Sequence, residues 1–279
     1  MSESGRCVPC DDGRRLLIAA VVARLAWGLA TRRLAADAEM SSLAPWAALA
    51  VSCAAPVLAY RLAINLRLPR AAALAAGVLL AVHPALVDAG TRGGPEAALP
   101  GLAAACLVAW VYAWQSGKKR AAALAGICGG AAAWAGAAVL PAAAALAAVA
   151  IWRRKEQRRW KMIVVVGLIF GAVAAGPRAR IVRSPAEPFT KWSAPMAVTP
   201  AGGHDSRGVR VLFSMILFAA ALFGLRAVAS GPGGWFAVAW LLSVGLSHLW
   251  LGAGPRLSED PALAVFAGAG LCVFGLSSD

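Results

Sequence analysis

KKRAAALAGICGGAAAWAGAAVLPAAAALAAVAIWRRKEQRRWK, Lys118 to Lys161, decides how the chain is organised. Between Arg120 and Arg153 it holds no charged residue. A straight membrane span needs about 20 apolar residues. The stretch is long for one pass and short for two, and Pro141 interrupts it. The flanks separate the readings. Lys118-Lys119-Arg120 precedes the run and Arg153 to Lys161 follows it. Basic loops favour the cytoplasmic side, so both ends prefer one side and the chain passes twice. A single span over 121–152 is the competing reading.

The same reading extends outward. Hydrophobic residues make up 60% of the 279 and charged residues 14%, with mean hydropathy +0.69. A soluble core cannot hide that much apolar surface, which points to a polytopic membrane protein. The expected fold is all-α, a bundle of about ten transmembrane helices, nine if 121–152 is one span. The helices are placed near 15–31, 42–61, 70–87, 96–115, 121–136, 138–152, 161–176, 209–229, 233–252 and 261–276. The expected divisions are a cytoplasmic tail over 1–14, one membrane domain over 15–276 with an outer loop at 177–208, and a C-terminal tail over 277–279.

Charge then separates by side. On this topology both termini are cytoplasmic, and the inner segments carry 16 Lys/Arg and five acids. The outer segments carry ten Lys/Arg and eight acids, and Arg24 lies inside the first helix. The net charge of +14 is a topology signal facing anionic lipid, and no basic domain of soluble size exists to bind nucleic acid. Asp and Glu contribute little to insertion, so topology does not explain acids concentrated outside.

Cys53, Cys106, Cys128 and Cys272 fall within apolar runs and read as small core residues. Cys7 and Cys10 form a CxxC without the second ligand pair that a zinc site needs. The first apolar run reads as an uncleaved helix, because Arg24 interrupts it and Arg32-Arg33 follow it.

Four outer segments carry the candidate chemistry. RRLAADAEMSS, Arg32 to Ser42, holds Asp37 and Glu39 two residues apart. In an extended loop such carboxylates point the same way, so they can share a cation or a proton. HPALVDAGTRGGPEAALPG, His83 to Gly101, holds Asp88, Arg92 and Glu96. Glu96 opens a helix, where the dipole favours a carboxylate. Gly176 to Arg210 is too polar for hydrocarbon and carries Arg178, Arg180, Arg183, Lys191 and Trp192. These can hold a phosphate and stack on a sugar or headgroup. Arg256 crowds the start of the last helix with Glu259 and Asp260. Separately, each segment also reads as ordinary turn, helix-start or interfacial chemistry. Together they suit transfer of a group from a lipid-linked phosphate, with a carboxylate as general base and cations on the leaving phosphate.

In their order the features resemble the integral-membrane GT-C glycosyltransferases, the group with the protein O-mannosyltransferase-like and lipopolysaccharide aminoarabinose-transferase-like enzymes. RRLLIAAVVARLAWGLA (Arg14 to Ala30) looks like the family's first helix with its embedded arginine, and ADAEM (Ala36 to Met40) like its acidic motif. VHPALVDAGTRGGPEAAL and the run from Lys118 look like the central helices, and PRLSEDPALAVFAGAGL like a late motif. The resemblance implies a shortened member in a bacterial inner membrane, with Asp37, Glu39 and Glu96 as catalytic carboxylates. From the residue types themselves, the expected substrate contacts are Asp88, Arg92, Arg178, Arg180, Arg183, Lys191, Trp192 and Arg256. The donor would be a polyprenyl-phosphate sugar and the acceptor a lipid or glycan on the outer face. Asp37 with Glu39 can bind a divalent metal, which nothing in the sequence requires. The first outer loop is short for the family, and Met40 stands where a Tyr is common. These departures leave a non-catalytic scaffold or accessory subunit as the alternative, and a transporter ranks third.

Overall fold

The computed structural model describes residues 8–30, 43–84, 86–87, 95–135, 139–152, 160–175, 205–231, 233–251 and 261–275. They form an all-α architecture with ten helices of twelve residues or more. These are α1 (Val8–Ala30), α2 (Leu43–Asn65), α3 (Arg70–Ala81), α4 (Pro95–Ser116) and α5 (Lys119–Ala135). They continue with α6 (Val139–Trp152), α7 (Trp160–Ala175), α8 (Asp205–Ser230), α9 (Gly234–Leu251) and α10 (Pro261–Gly275).

Lengths differ from expectation in informative ways. α1 starts seven residues early, at Val8, with Asp11 in its first turn where the helix dipole favours an acid. Cys10 therefore belongs to a helix rather than to a tail. α3 stops at Ala81 instead of running to 87. Pro84 restricts the residue before it, and Val82 already leaves helical geometry at φ −98°, ψ 1°. Two helices, over Trp46–Asn65 and Ala97–Ser116, are long and apolar enough to cross a membrane. Several others are apolar but shorter, including Lys161–Ala175 and Pro261–Val273.

Side-chain and backbone contacts fix the helix directions. Asp12 near the start of α1 meets Arg70 at the start of α3. Gln115 near the end of α4 donates to the Asn65 carbonyl at the end of α2, 2.7 Å away. Gly231, just past α8, lies against the Leu66 carbonyl, and Gly233, just before α9, lies against Val111 of α4. Ala113, Ala121, Ala122 and Met162 cluster where α4 ends and α5 and α7 begin. One end of the bundle thus gathers the starts of α1, α3, α5, α7 and α9 and the ends of α2, α4 and α8. Since α5 leaves this end and α7 starts at it, α6 makes the return. The segment 121–152 is two helices with different partners: α5 packs on α4 and α7, whereas α6 packs mainly on α9.

The centre belongs to α10. Its residues from Pro261 to Gly270 are all buried, and it packs against α8 and α3. Small residues allow this. A Cβ on Gly224 of α8 would overlap the Phe266 carbonyl, and one on Gly270 would overlap the Ala220 carbonyl. The backbones of α8 and α10 touch, as helices do when small residues line the seam. A Cβ on Gly101 of α4 would likewise run into the Val51 carbonyl of α2.

The outside of the bundle is apolar as well. Leu168 of α7 is 69% exposed and Leu222 of α8 is 73% exposed, with further large aliphatic or aromatic side chains outward on every other helix. A water-soluble monomer rarely exposes apolar patches beyond a few hundred Å².

The turn between α2 and α3 is tight and unusual. Leu68 N–H reaches back to the Ala63 carbonyl at 3.0 Å and Arg67 N–H to Ile64 at 2.9 Å, the two bonds of a Schellman cap. The position that favours glycine holds Arg67 at φ 60°. Leu68 is buried behind it, and Pro69 blocks continuation.

Candidate functional site

The helix directions sort the charges. Arg14, Arg15, Arg61, Arg67 and Arg70 lie where α1, α2 and α3 share one end, with Asp11 and Asp12 among them. Lys118, Lys119, Arg120, Lys161 and Arg226 lie at the same end of α4, α5, α7 and α8. This is the basic end. The chain segments after α1, α3, α5, α7 and α9 all depart from the opposite end.

Those segments contain the expected chemistry. Asp37, Glu39, Asp88, Arg92, Arg178, Arg180, Arg183, Lys191, Trp192 and Arg256 lie outside the described residues. Glu96 is the second residue of α4, after Pro95, so its backbone stands in the first turn as the sequence suggested. The helix ends that bracket 31–42, 88–94 and 176–204 are the ends opposite the basic one.

Two polar clusters in the described region were not assigned from sequence. The first surrounds Arg24, which is 1% exposed between α1 and α2. Its Nε donates to Ser52 Oγ, its Nη2 to the Ser52 carbonyl and its Nη1 to the Ala20 carbonyl, each at 3.1 Å. All three acceptors are neutral. Ser52 is a hydroxyl in an otherwise apolar stretch of α2, and that polar interruption facing a helix-embedded arginine was the available signal. A buried ionic group is tolerated only when hydrogen-bonded, and Ser52 supplies two of the bonds.

The second cluster ties the basic end together. Arg70 grips Asp12 with both arms of its guanidinium, Nε to Oδ2 at 2.6 Å and Nη2 to Oδ1 at 2.7 Å. Tyr60 O–H donates to the same Oδ2 at 3.2 Å. The hydrogen-bonded Arg70 holds the Asp12 carboxyl below the usual carboxylate range, opposed by burial and assisted by Tyr60. From sequence, Asp12 counted only as a tail charge. The extension of α1 back to Val8 is what brings it to α3.

Three helices are therefore pinned at one end by an ion pair, and two are joined in the interior by an arginine on neutral acceptors. Among the described residues no group of three His, Cys, Asp or Glu side chains is placed to hold a metal.

No known family matches this chain, and no curated protein does.

Proposed function

We propose that the chain is a polytopic membrane protein that transfers a sugar from a polyprenyl-phosphate donor to a lipid or glycan acceptor at the membrane face opposite its basic end. The observation that carries this reading is the separation of charge along the bundle axis. The basic helix ends cluster on one side, and the segments bearing Asp37, Glu39, Asp88 and Glu96 leave from the other. Apolar side chains cover the helix exteriors between these ends, which supports hydrocarbon as the surroundings. On this reading the apolar helices shorter than a full span are accommodated by tilt and local bilayer thinning.

In the reaction, Asp37 takes the proton of the acceptor hydroxyl as that oxygen bonds to the anomeric carbon and the bond from that carbon to the donor phosphate oxygen breaks, with Glu39 and Glu96 as the further carboxylates of the site. Arg178, Arg180 and Arg183 stabilise the departing phosphate, with Arg92, Lys191, Trp192 and Arg256 contacting substrate. Support for these roles comes from the residue types, their order along the chain and the GT-C resemblance. The test is transfer from labelled polyprenyl-phosphate sugars in membranes. Asp37→Asn should reduce transfer by roughly 100-fold or more, the range for loss of a general base. Unchanged transfer removes Asp37 from that role.

A second reading, a non-catalytic scaffold, is favoured by the short link between α1 and α2. α1 ends at Ala30 and α2 begins at Leu43. That leaves little chain to build an acceptor site around Asp37. Failure of the unmodified protein to transfer any sugar across a donor panel selects the scaffold.

A further inference from the structure

The seam between α8 and α10 also fixes which way α10 runs. A Cβ on Gly224 would meet the Phe266 carbonyl and the Gly270 amide, and one on Gly270 the Ala220 carbonyl and the Gly224 amide. In an α-helix the carbonyl of one residue lies against the amide four residues on, so each glycine points midway along such a pair. Gly224 is therefore level with Gly268, and Gly270 with Leu222. Two residues forward along α10 match two residues backward along α8. The helices are antiparallel, since in a parallel pair both levels would rise together. Gly268 also lies against Ala72 and Ala76, near the start of α3, which puts the seam in the basic half of the bundle.

Extending this register locates both ends of α10. Pro261 comes level with Gly231, just past the end of α8 and against the Leu66 carbonyl. The helix thus starts at the basic end. Its 15 residues carry it about 21 Å toward the other end, where Gly275 comes level with Leu217.

The alternation of the preceding helices stops here. α9 also starts at the basic end and, with 18 residues, ends about 25 Å away from it. The nine residues 252–260 must bring the chain back before α10 begins. Nine residues reach about 30 Å when extended, so the connection can close. From sequence, Glu259 and Asp260 counted among the outer acids. Successive Cα atoms are about 3.8 Å apart, which ties Asp260 to the end where Pro261 lies.

We propose that the residues just before Pro261 and those after Gly275 lie on opposite sides of the membrane. Glu259 and Asp260 then join the cations of the basic end, at a helix start that favours acids. Ser277, Ser278 and Asp279 join the side that bears Asp37 and Glu96. This sidedness rests on the membrane reading but not on glycosyl transfer, and the direction of α10 rests on neither.

The test has two arms, both on the full chain with its six native cysteines replaced. In protein purified in mild detergent, a short bismaleimide should join Ser230→Cys to Asp260→Cys. It should leave Ser230→Cys and Val273→Cys unjoined, because Val273 lies about 16 Å farther along the bundle. Ser230 and Val273 are exposed, so cysteines there do not disturb the packing. Failure of the first pair to join, or joining of the second, overturns the direction of α10. For sidedness, an epitope is appended after Asp279. External protease should remove it from intact spheroplasts in which Lys119→Cys stays closed to an impermeant maleimide. Removal only after permeabilisation overturns the proposal even where the cross-links are as expected. Loss of the protein from carbonate-washed membranes overturns the membrane reading and the sidedness with it, and the cross-links still decide the direction.

Discussion

The sealed middle of this bundle and its basic end follow opposite packing rules. At the middle, α10 presents Ala, Gly, Val, Leu and Phe, and α8 comes so near that Gly224 and Gly270 leave no room for a Cβ. At the basic end, Trp110 and Trp114 of α4 and Met162 and Ile163 of α7 meet over the small Ala122 through side chains rather than through backbone, with room for no more than about a water between them. Charge follows the same division. Among the described residues Arg24 inside is met by neutral oxygens, whereas Arg70 at the end, 53% exposed, has a carboxylate in both arms of its guanidinium. The comparison teaches that the interior is held by backbone proximity and by hydrogen bonds that cannot be lost without exposing a polar group. The end is held by contacts that water can partly replace. Substitutions in the middle should therefore have large effects, and those at the end small ones.

The largest effect is expected at Gly270→Leu. The new side chain meets the backbone of α8 rather than a movable side chain, so the helices must part. Overpacking alone costs about 1–3 kcal/mol, and a backbone obstacle places this variant at the top of that range or above it. Little monodisperse protein should survive size-exclusion chromatography in detergent. A normal profile and melting temperature would mean that α8 and α10 are not in backbone contact.

Ser52→Ala comes next. It leaves the Arg24 Nε–H without its acceptor in a buried place, and hydrogen bonds to charged groups contribute about 1.5–3 kcal/mol. Arg24→Leu in the same background should restore most of the loss, because an apolar side chain of similar reach removes the need for acceptors. Equal melting temperatures for Ser52→Ala and the parent would break the contrast on the interior side.

Arg67→Gly should act in the other direction. A left-handed conformation costs a residue with a Cβ about 1–2 kcal/mol, and the greater freedom of glycine in the unfolded chain offsets part of the gain. The expected stabilisation is about 1 kcal/mol or less, read as a higher melting temperature. Destabilisation would show that the Arg67 side chain holds something at the basic end.

The smallest effect is pH-dependent. The Asp12 carboxyl is depressed chiefly by Arg70, so its contribution is present above the ordinary carboxylate value and is lost as pH falls through the lowered one. Asp12→Asn should melt below the parent at neutral pH. The two should converge only as pH drops beneath the normal aspartate range. A gap that does not change with pH would assign the loss to packing rather than to charge.

Much of this fold was legible in the sequence. Helix positions followed from apolar runs between basic or Gly/Pro-rich clusters, and the two passes over 121–152 followed from cations on both flanks. What could not be read was which faces meet. Gly224, Gly268 and Gly270 are ordinary glycines in apolar runs until α8, α3 and α10 are set against each other. Asp12 looked like a tail residue because its partner lies 58 positions away. The early end of α3 was foreseeable from Pro84, but apolar residues beyond it extended the expected helix. The candidate site was legible only as residue types in order. Its members lie outside the described residues except for the backbone of Glu96, so only the directions of the neighbouring helices bear on it.

The central claim is that the basic end faces the cytoplasm and that the segments bearing Asp37 and its fellow acids face the other side. Single-cysteine labelling tests this most directly, with the six native cysteines replaced and a membrane-impermeant maleimide applied to intact cells. Ala38→Cys should be labelled in intact cells, and Lys119→Cys only after permeabilisation. Labelling of both positions from the same side, or the reverse order, would contradict the account.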